Sequence, residues 1–91
     1  MELKWTSKAL SDLSRLYDFL AVANKAAAAK TIQALTAAPS TLLLNSRIGE
    51  RLEGYDTREV RRILVGQYEL RYEINNAVIY ILRIWHARED R

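Results

Sequence analysis

Arg58, Arg62, Arg71, Arg83, His86 and Arg88 all fall within the stretch from Thr57 to Arg88. Between Arg47 and Arg91 there are nine arginines and no lysine. A guanidinium fork matches the oxygens of a carboxylate or a phosphate two at a time, which a lysine point charge does not. The chemistry on offer is therefore anion recognition, on a protein or on a nucleic acid. The competing reading is a surface decorated with arginine and neutralised by its own carboxylates. Both stand at this point.

Covalent chemistry is less well supplied. His86 is the only histidine, and no hydroxyl is tied to it by spacing, so a nucleophilic triad is not expected. The imidazole is the side chain whose charge changes nearest neutral pH, so His86 is a candidate general base for RNA chemistry. It reads equally well as a strand-end histidine packed against Trp85. The absence of cysteine excludes disulfides and thiolate chemistry and is compatible with a reducing compartment. Carboxylates and one histidine make no metal cage, and no glycine-rich phosphate cradle occurs, so neither a metal nor a cofactor is expected.

The elements that must position these residues form a single domain over 1–91, since 91 residues hold one modest core. A hydrophobic fraction of 49% is that of a globular chain, and the net charge of +3 is a mild excess. No signal-type segment is seen, and no apolar run reaches the roughly 18 residues that cross a bilayer. A cytoplasmic location without membrane contact is the expectation.

Taken in order, Leu3 and Trp5 alternate with Glu2 and Lys4 as a short first strand. Thr6 or Ser7 can cap a helix over 8–23, with Leu10, Leu13, Tyr17 and Leu20 on one side and Leu16 beside them. Ser11, Asp12, Arg15 and Asp18 fall on its other side. Asn24 stops that helix and caps a second over 25–38, alanine-rich, with Ala28, Ile32 and Leu35 as its buried stripe. Pro39 ends or kinks it, and 40–44 can add a further turn that buries Leu42 and Leu43. The main loop is 46–56, holding Gly49 and Gly54.

Three strands follow. Glu59 to Val65 leads through a Gly66-Gln67 turn into a clean alternation, with Tyr68, Leu70, Tyr72 and Ile74 on one face and Glu69, Arg71 and Glu73 on the other. Asn75-Asn76 is the next expected turn, before an apolar strand over 77–85. Two-residue turns pair Ile74 with Ala77, Tyr72 with Ile79 and Leu70 with Ile81, and Val65 with Tyr68 and Ile63 with Leu70. On the opposite face Arg62 then lies across from Arg71, and Arg71 across from Tyr80. Facing like charges cost a few tenths to about 1 kcal/mol, so this pair calls for an external anion or for flanking Glu69 and Glu73.

The order of elements, the run R-E-V-x-x-I-x-V-x-x-Y-x-L-x-Y-x-I from Arg58 and the ending V-x-Y-x-L-R-I-x-H-x-R from Val78 together resemble the ParE/RelE superfamily of bacterial toxins. The resemblance covers nearly the whole chain. It implies an α+β fold: a helical hairpin on a mainly antiparallel sheet of about four strands, the first strand beside the last.

The resemblance also implies a type II toxin–antitoxin pair. ParE-like members act on DNA gyrase, and RelE-like members cleave mRNA on the ribosome. Glu69 stands where RelE-like nucleases carry an arginine, and a carboxylate there repels a scissile phosphate. Arg88 fits a later arginine of that branch, but Arg91 is reached before the tyrosine that usually follows. The ParE-like branch is therefore expected: a gyrase inhibitor acting by protein contact, with no catalytic set. Arg58, Arg62, Arg71, His86 and Arg88 are its target-binding candidates, and direct nucleic-acid binding is not expected. The implied antitoxin has a flexible tail that folds on binding into a hetero-oligomer, with Leu13, Leu16, Tyr17 and Leu20 as candidate contacts. The alternatives are an mRNA interferase, with Arg62 and Arg88 on phosphate and His86 moving a proton, and a non-toxic member that only binds its antitoxin.

Overall fold

Thr6 is the joint between the first strand, β1 (Glu2–Trp5), and the first helix, α1 (Ser7–Ala21). Its hydroxyl accepts from the Ala9 amide at 3.2 Å and donates to the Ile81 carbonyl at 2.8 Å. One side chain thus caps the helix and ties its start to the last strand. The structure, a computed structural model, describes residues 1–88.

The second helix, α2 (Lys25–Ala37), is capped by Asn24, whose side chain accepts from the Ala27 amide at 2.9 Å. The chain then tightens into a 3-10 helix (Ala38–Leu43) with Pro39 at its start, where a missing amide hydrogen leaves no bond unmade. Its three-residue repeat puts Pro39 and Leu42 on one buried side. Leu43 turns outward and is exposed, against the expectation that both leucines are covered.

Among the described residues the sheet has five strands in the order β1-β5-β4-β3-β2, one more than expected. The extra strand, β2 (Glu50–Arg51), lies inside the expected loop and pairs with Arg62 and Arg61 of β3 (Glu59–Val65). Then come β4 (Tyr68–Asn75) and β5 (Val78–His86). β1 runs parallel to β5, and all other pairs are antiparallel. The helical hairpin covers one face, closing a core of Leu13, Leu35, Leu42, Leu70, Tyr72, Ile79, Ile81 and Ile84.

The buried stripe of α1 is rotated from the expected one. Ala9, Asp12 and Leu13 are buried, while Leu10 is 53% exposed. Asp12 belongs inside because its carboxylate accepts from the Ile84 amide at 2.9 Å. β1 pairs only as far as Ile81, so Asp12 occupies the place where a further strand residue would bond to β5.

The β3–β4 register is the expected one, with Arg62 opposite Arg71 and Ile63 opposite Leu70. The β4–β5 register is not. The turn is Asn76-Ala77, with Asn76 at φ 57, so Asn75 pairs with Val78, Ile74 with Ile79 and Tyr72 with Ile81. This slides the strands by two residues, which leaves every side chain on its expected face and so is invisible to alternation. The pairing then slips by one between Tyr72 and Arg71, leaving Leu82 out, so Arg71 faces Arg83 and not Tyr80. Such a bulge reverses the alternation beyond it. Arg83 and Trp85 turn to the sheet face away from the helices, and Ile84 and His86 turn to the helix side.

Candidate functional site

The face away from the helices carries Arg58, Arg62, Arg71 and Arg83, and each of them is engaged. Arg58, just before β3, sends two N–H bonds to Glu73 at 3.1 and 2.8 Å. Arg62 binds Glu50 at 2.9 Å and Glu69 at 3.1 Å. Arg71 binds the same Glu69 at 2.7 Å and the Tyr55 hydroxyl at 3.0 Å. A run Glu50–Arg62–Glu69–Arg71–Tyr55 thus crosses three strands and reaches the loop before β3. The shared carboxylate of Glu69, 1% exposed, offsets the repulsion between the facing arginines.

The electrostatics follow the same pairs. Hydrogen bonding and charge from Glu73 hold the Arg58 guanidinium above its ordinary pKa. Glu50 first, and Glu69 after it, do the same for Arg62. The expected ladder of arginines and carboxylates is present on this face, although Glu73 serves Arg58 and not Arg62. Glu50, on the strand that was expected to be loop, takes its place.

Aromatic rings back the cations. The Arg71 guanidinium lies 4.8 Å and that of Arg83 5.2 Å from the Trp85 ring centroid, and Arg58 lies 5.6 Å from that of Tyr55. Trp85 reaches this face only because of the bulge at Leu82. Sequence reasoning gave Tyr55 no role, placed Asp12 on the outer side of the first helix and named Trp85 only as a packing partner of His86. For Asp12 a signal existed: it sits three residues after Ala9 and four before Leu16, on a helix side that must be apolar.

The structure separates His86 from the arginines it was grouped with. Its ring meets Tyr68 edge-on at 5.5 Å on the helix side, not Trp85. Nε2 lies 3.2 Å from Gln67 Oε1, and Nδ1 accepts from the Arg88 amide at 3.1 Å. Arg88 itself lies exposed just past the end of β5. Arg58, Arg62 and Arg71 therefore form one group, and His86 and Arg88 another at the strand end.

On the helix side a concave site of about 510 Å³ opens beside α1, lined by Arg15, Leu16, Phe19, Tyr68, Ile84 and His86 among others. Phe19 is 77% exposed there. Leu13 is closed off in the core, and Leu16, Tyr17 and Leu20 are half-buried. Among the described residues no group of three histidines, aspartates or glutamates converges on a metal position. No helix among them is long and apolar enough to cross a membrane.

A family model described as the ParE toxin of type II toxin–antitoxin systems, parDE, matches residues 3–91. The chain belongs to the ParE toxin family. Among solved structures, a chromosomal ParDE toxin–antitoxin system from P. aeruginosa superposes on it with a TM-score of 0.81 at 28% identity, covering 94% of this chain and 95% of that one. No curated protein sequence matches it. The match takes in both the sheet and the helical hairpin that frame the two faces.

Proposed function

We propose that this ParE toxin inhibits DNA gyrase by protein–protein contact through its sheet face, and that a cognate antitoxin neutralises it by folding over α1. The observation that carries the first part is Glu69. A phosphate-cleaving face needs cations free to meet developing negative charge. Here the central position holds a buried carboxylate that already occupies Arg62 and Arg71. Such a face suits polar, directional contact with a folded partner. His86 lies on the other side of the sheet, which removes the proton carrier an interferase would place beside those arginines.

The antitoxin half is supported by the solved ParDE relative and by the apolar exposure along α1. Phe19 and Val22 are 77% and 90% exposed, and Leu16 lines the concavity next to Phe19, so the three step along one side of the helix. A flexible segment that presents apolar anchors at helical spacing buries that strip. The result is a toxin–antitoxin hetero-oligomer.

The test pairs two assays. The purified toxin is added to DNA gyrase supercoiling reactions and, separately, to translating ribosomes. Inhibited supercoiling with intact transcripts is the expected result, together with filamentous growth and a DNA-damage response on expression without antitoxin. Codon-specific mRNA cleavage with unimpaired supercoiling overturns the proposal in favour of an interferase. Loss of effect in both assays, with antitoxin binding retained, leaves a non-toxic member.

A further inference from the structure

A second concave site, of about 540 Å³, lies on the sheet face between the first turn of α1 and the end of β5. Lys8, Arg58, Arg71 and Arg83 line it, with Tyr55 and Trp85 as its aromatic surfaces. Among the described residues no carboxylate lines it. Glu73, Glu69 and Asp12 hold their arginines from outside the cavity wall. Two further observations point to an anion. Arg71 Nε is buried without a hydrogen-bond partner, and Lys8 makes no ion pair among the described residues. A buried donor left unmade is costly, so a ligand that meets it is favoured.

We infer that this pocket receives a carboxylate side chain from an acidic, extended segment of a protein partner. The inference rests on reading the sheet face as the target-contact surface and goes further, naming the chemistry that the contact recognises. Stacking on Trp85 and Tyr55 fixes the guanidinium planes before a ligand arrives, which lowers the ordering cost of binding. A small rotation of the Arg71 guanidinium away from the Tyr55 hydroxyl presents its Nε–H to the incoming oxygen. The Lys8 ammonium, on the first turn of α1, closes on the same carboxylate from the opposite wall.

Charge decides between an acidic peptide and a nucleic acid. Among the described residues Arg58, Arg71 and Arg83 each already bond to a carboxylate and Lys8 does not, so the pocket carries a small positive surplus and not a row of uncompensated cations. A nucleic-acid strand carries a charge at every phosphate and is held by a stripe of uncompensated Lys and Arg. A small local surplus beside an aromatic wall matches an acidic side chain, with neighbouring residues of the segment contacting the exposed rim.

The test titrates the 15N-labelled full-length toxin with a hexaglutamate peptide and, in parallel, with a six-nucleotide oligothymidylate. Expected for hexaglutamate are shifts of the Trp85 indole and the Lys8 amide, with the Trp5 indole unmoved. Lys8→Glu, an exposed change that leaves the ladder intact, weakens the peptide by about tenfold or more, since attraction becomes repulsion at close range. Glu73→Gln releases Arg58 and tightens it. Shifts confined to the helix side, indifference to Lys8→Glu, or tighter binding of the oligothymidylate at the same residues each overturn the inference. Supercoiling assays on the same protein keep the two ideas apart. A toxin that binds hexaglutamate here but spares gyrase loses only the proposed target, and one that inhibits gyrase without this peptide site loses only the pocket.

Discussion

The Asp12 carboxylate grips the Arg83 guanidinium with both oxygens, at 2.8 and 3.2 Å, across 71 positions of sequence. It also accepts from the Ile84 amide, so one buried side chain fastens α1 to the bulged part of β5. Removing it leaves a backbone donor unmet and takes from half-exposed Arg83 its bonds to α1. Asp12→Ala should lower stability by about 2–4 kcal/mol, as for other buried pairs broken from one side. Arg15, mostly exposed, also touches Asp12, yet Arg15→Ala should cost about 0.5 kcal/mol or less. Urea unfolding midpoints of the two variants check the contrast; equal losses would remove the anchoring role.

A second anchor joins the loop carrying β2 to the core. The Tyr72 hydroxyl donates to the Ser46 carbonyl at 2.7 Å and accepts from the Gly49 amide at 3.1 Å. A Cβ on Gly49 would sit 2.6 Å from both the Arg62 carbonyl oxygen and that hydroxyl. Gly49→Ala should therefore destabilise by about 1–3 kcal/mol through overpacking. Tyr72→Phe should cost about 1–2 kcal/mol through the orphaned Gly49 amide. Because both act on one contact, the double variant should fall short of the sum, and a double-mutant cycle by thermal or urea unfolding measures the coupling.

How far the sequence speaks for this molecule depends on what kind of signal each feature leaves. Tyr68 to Ile74 alternate cleanly and announce β4, and the β3–β4 register with Arg62 opposite Arg71 follows from the two-residue Gly66-Gln67 turn. The slide of β5 by two residues leaves all faces unchanged, so no hydrophobic pattern records it. The bulge at Leu82 sits inside an apolar run where either face accepts the residue, and nothing local marks the slip. That single unpaired residue decides the candidate site, since it exchanges His86 for Trp85 on the arginine face. β2 went unread because two residues, Glu50 and Arg51, are too few to show a period.

Two buried or bridged groups make stability respond to pH at opposite ends. Arg47 first, and Arg61 with it, hold Glu59 below the usual carboxylate range, with bonds of 2.8–2.9 Å. A depressed carboxylate stabilises the fold above its unfolded pKa of about 4.3 and loses that contribution as pH falls through the folded value. Burial pushes the Tyr72 phenol up. Its contribution is full below the unfolded pKa of about 10 and disappears as pH rises through the raised value. In urea midpoints measured against pH, Glu59→Gln should flatten the acid limb and Tyr72→Phe the alkaline limb. A limb unchanged by its variant would assign that transition to other groups.

Glu69 supplies the sharpest test of how the arginine face is held. It is 1% exposed and bonds to Arg62 at 3.1 Å and Arg71 at 2.7 Å. Glu69→Gln keeps the shape and one acceptor but leaves two guanidiniums facing each other with their shared charge removed. Stability should drop by about 1–3 kcal/mol, read from thermal unfolding. At the same time the face gains net positive charge, so retention on heparin and affinity for RNA should rise and should fall again steeply with added salt. A variant that is destabilised yet no stickier toward polyanions would mean that the ladder screens less charge than its geometry implies. The paired outcome, weaker fold and stronger polyanion binding, identifies Glu69 as the residue that keeps this surface from acting as a phosphate-binding one.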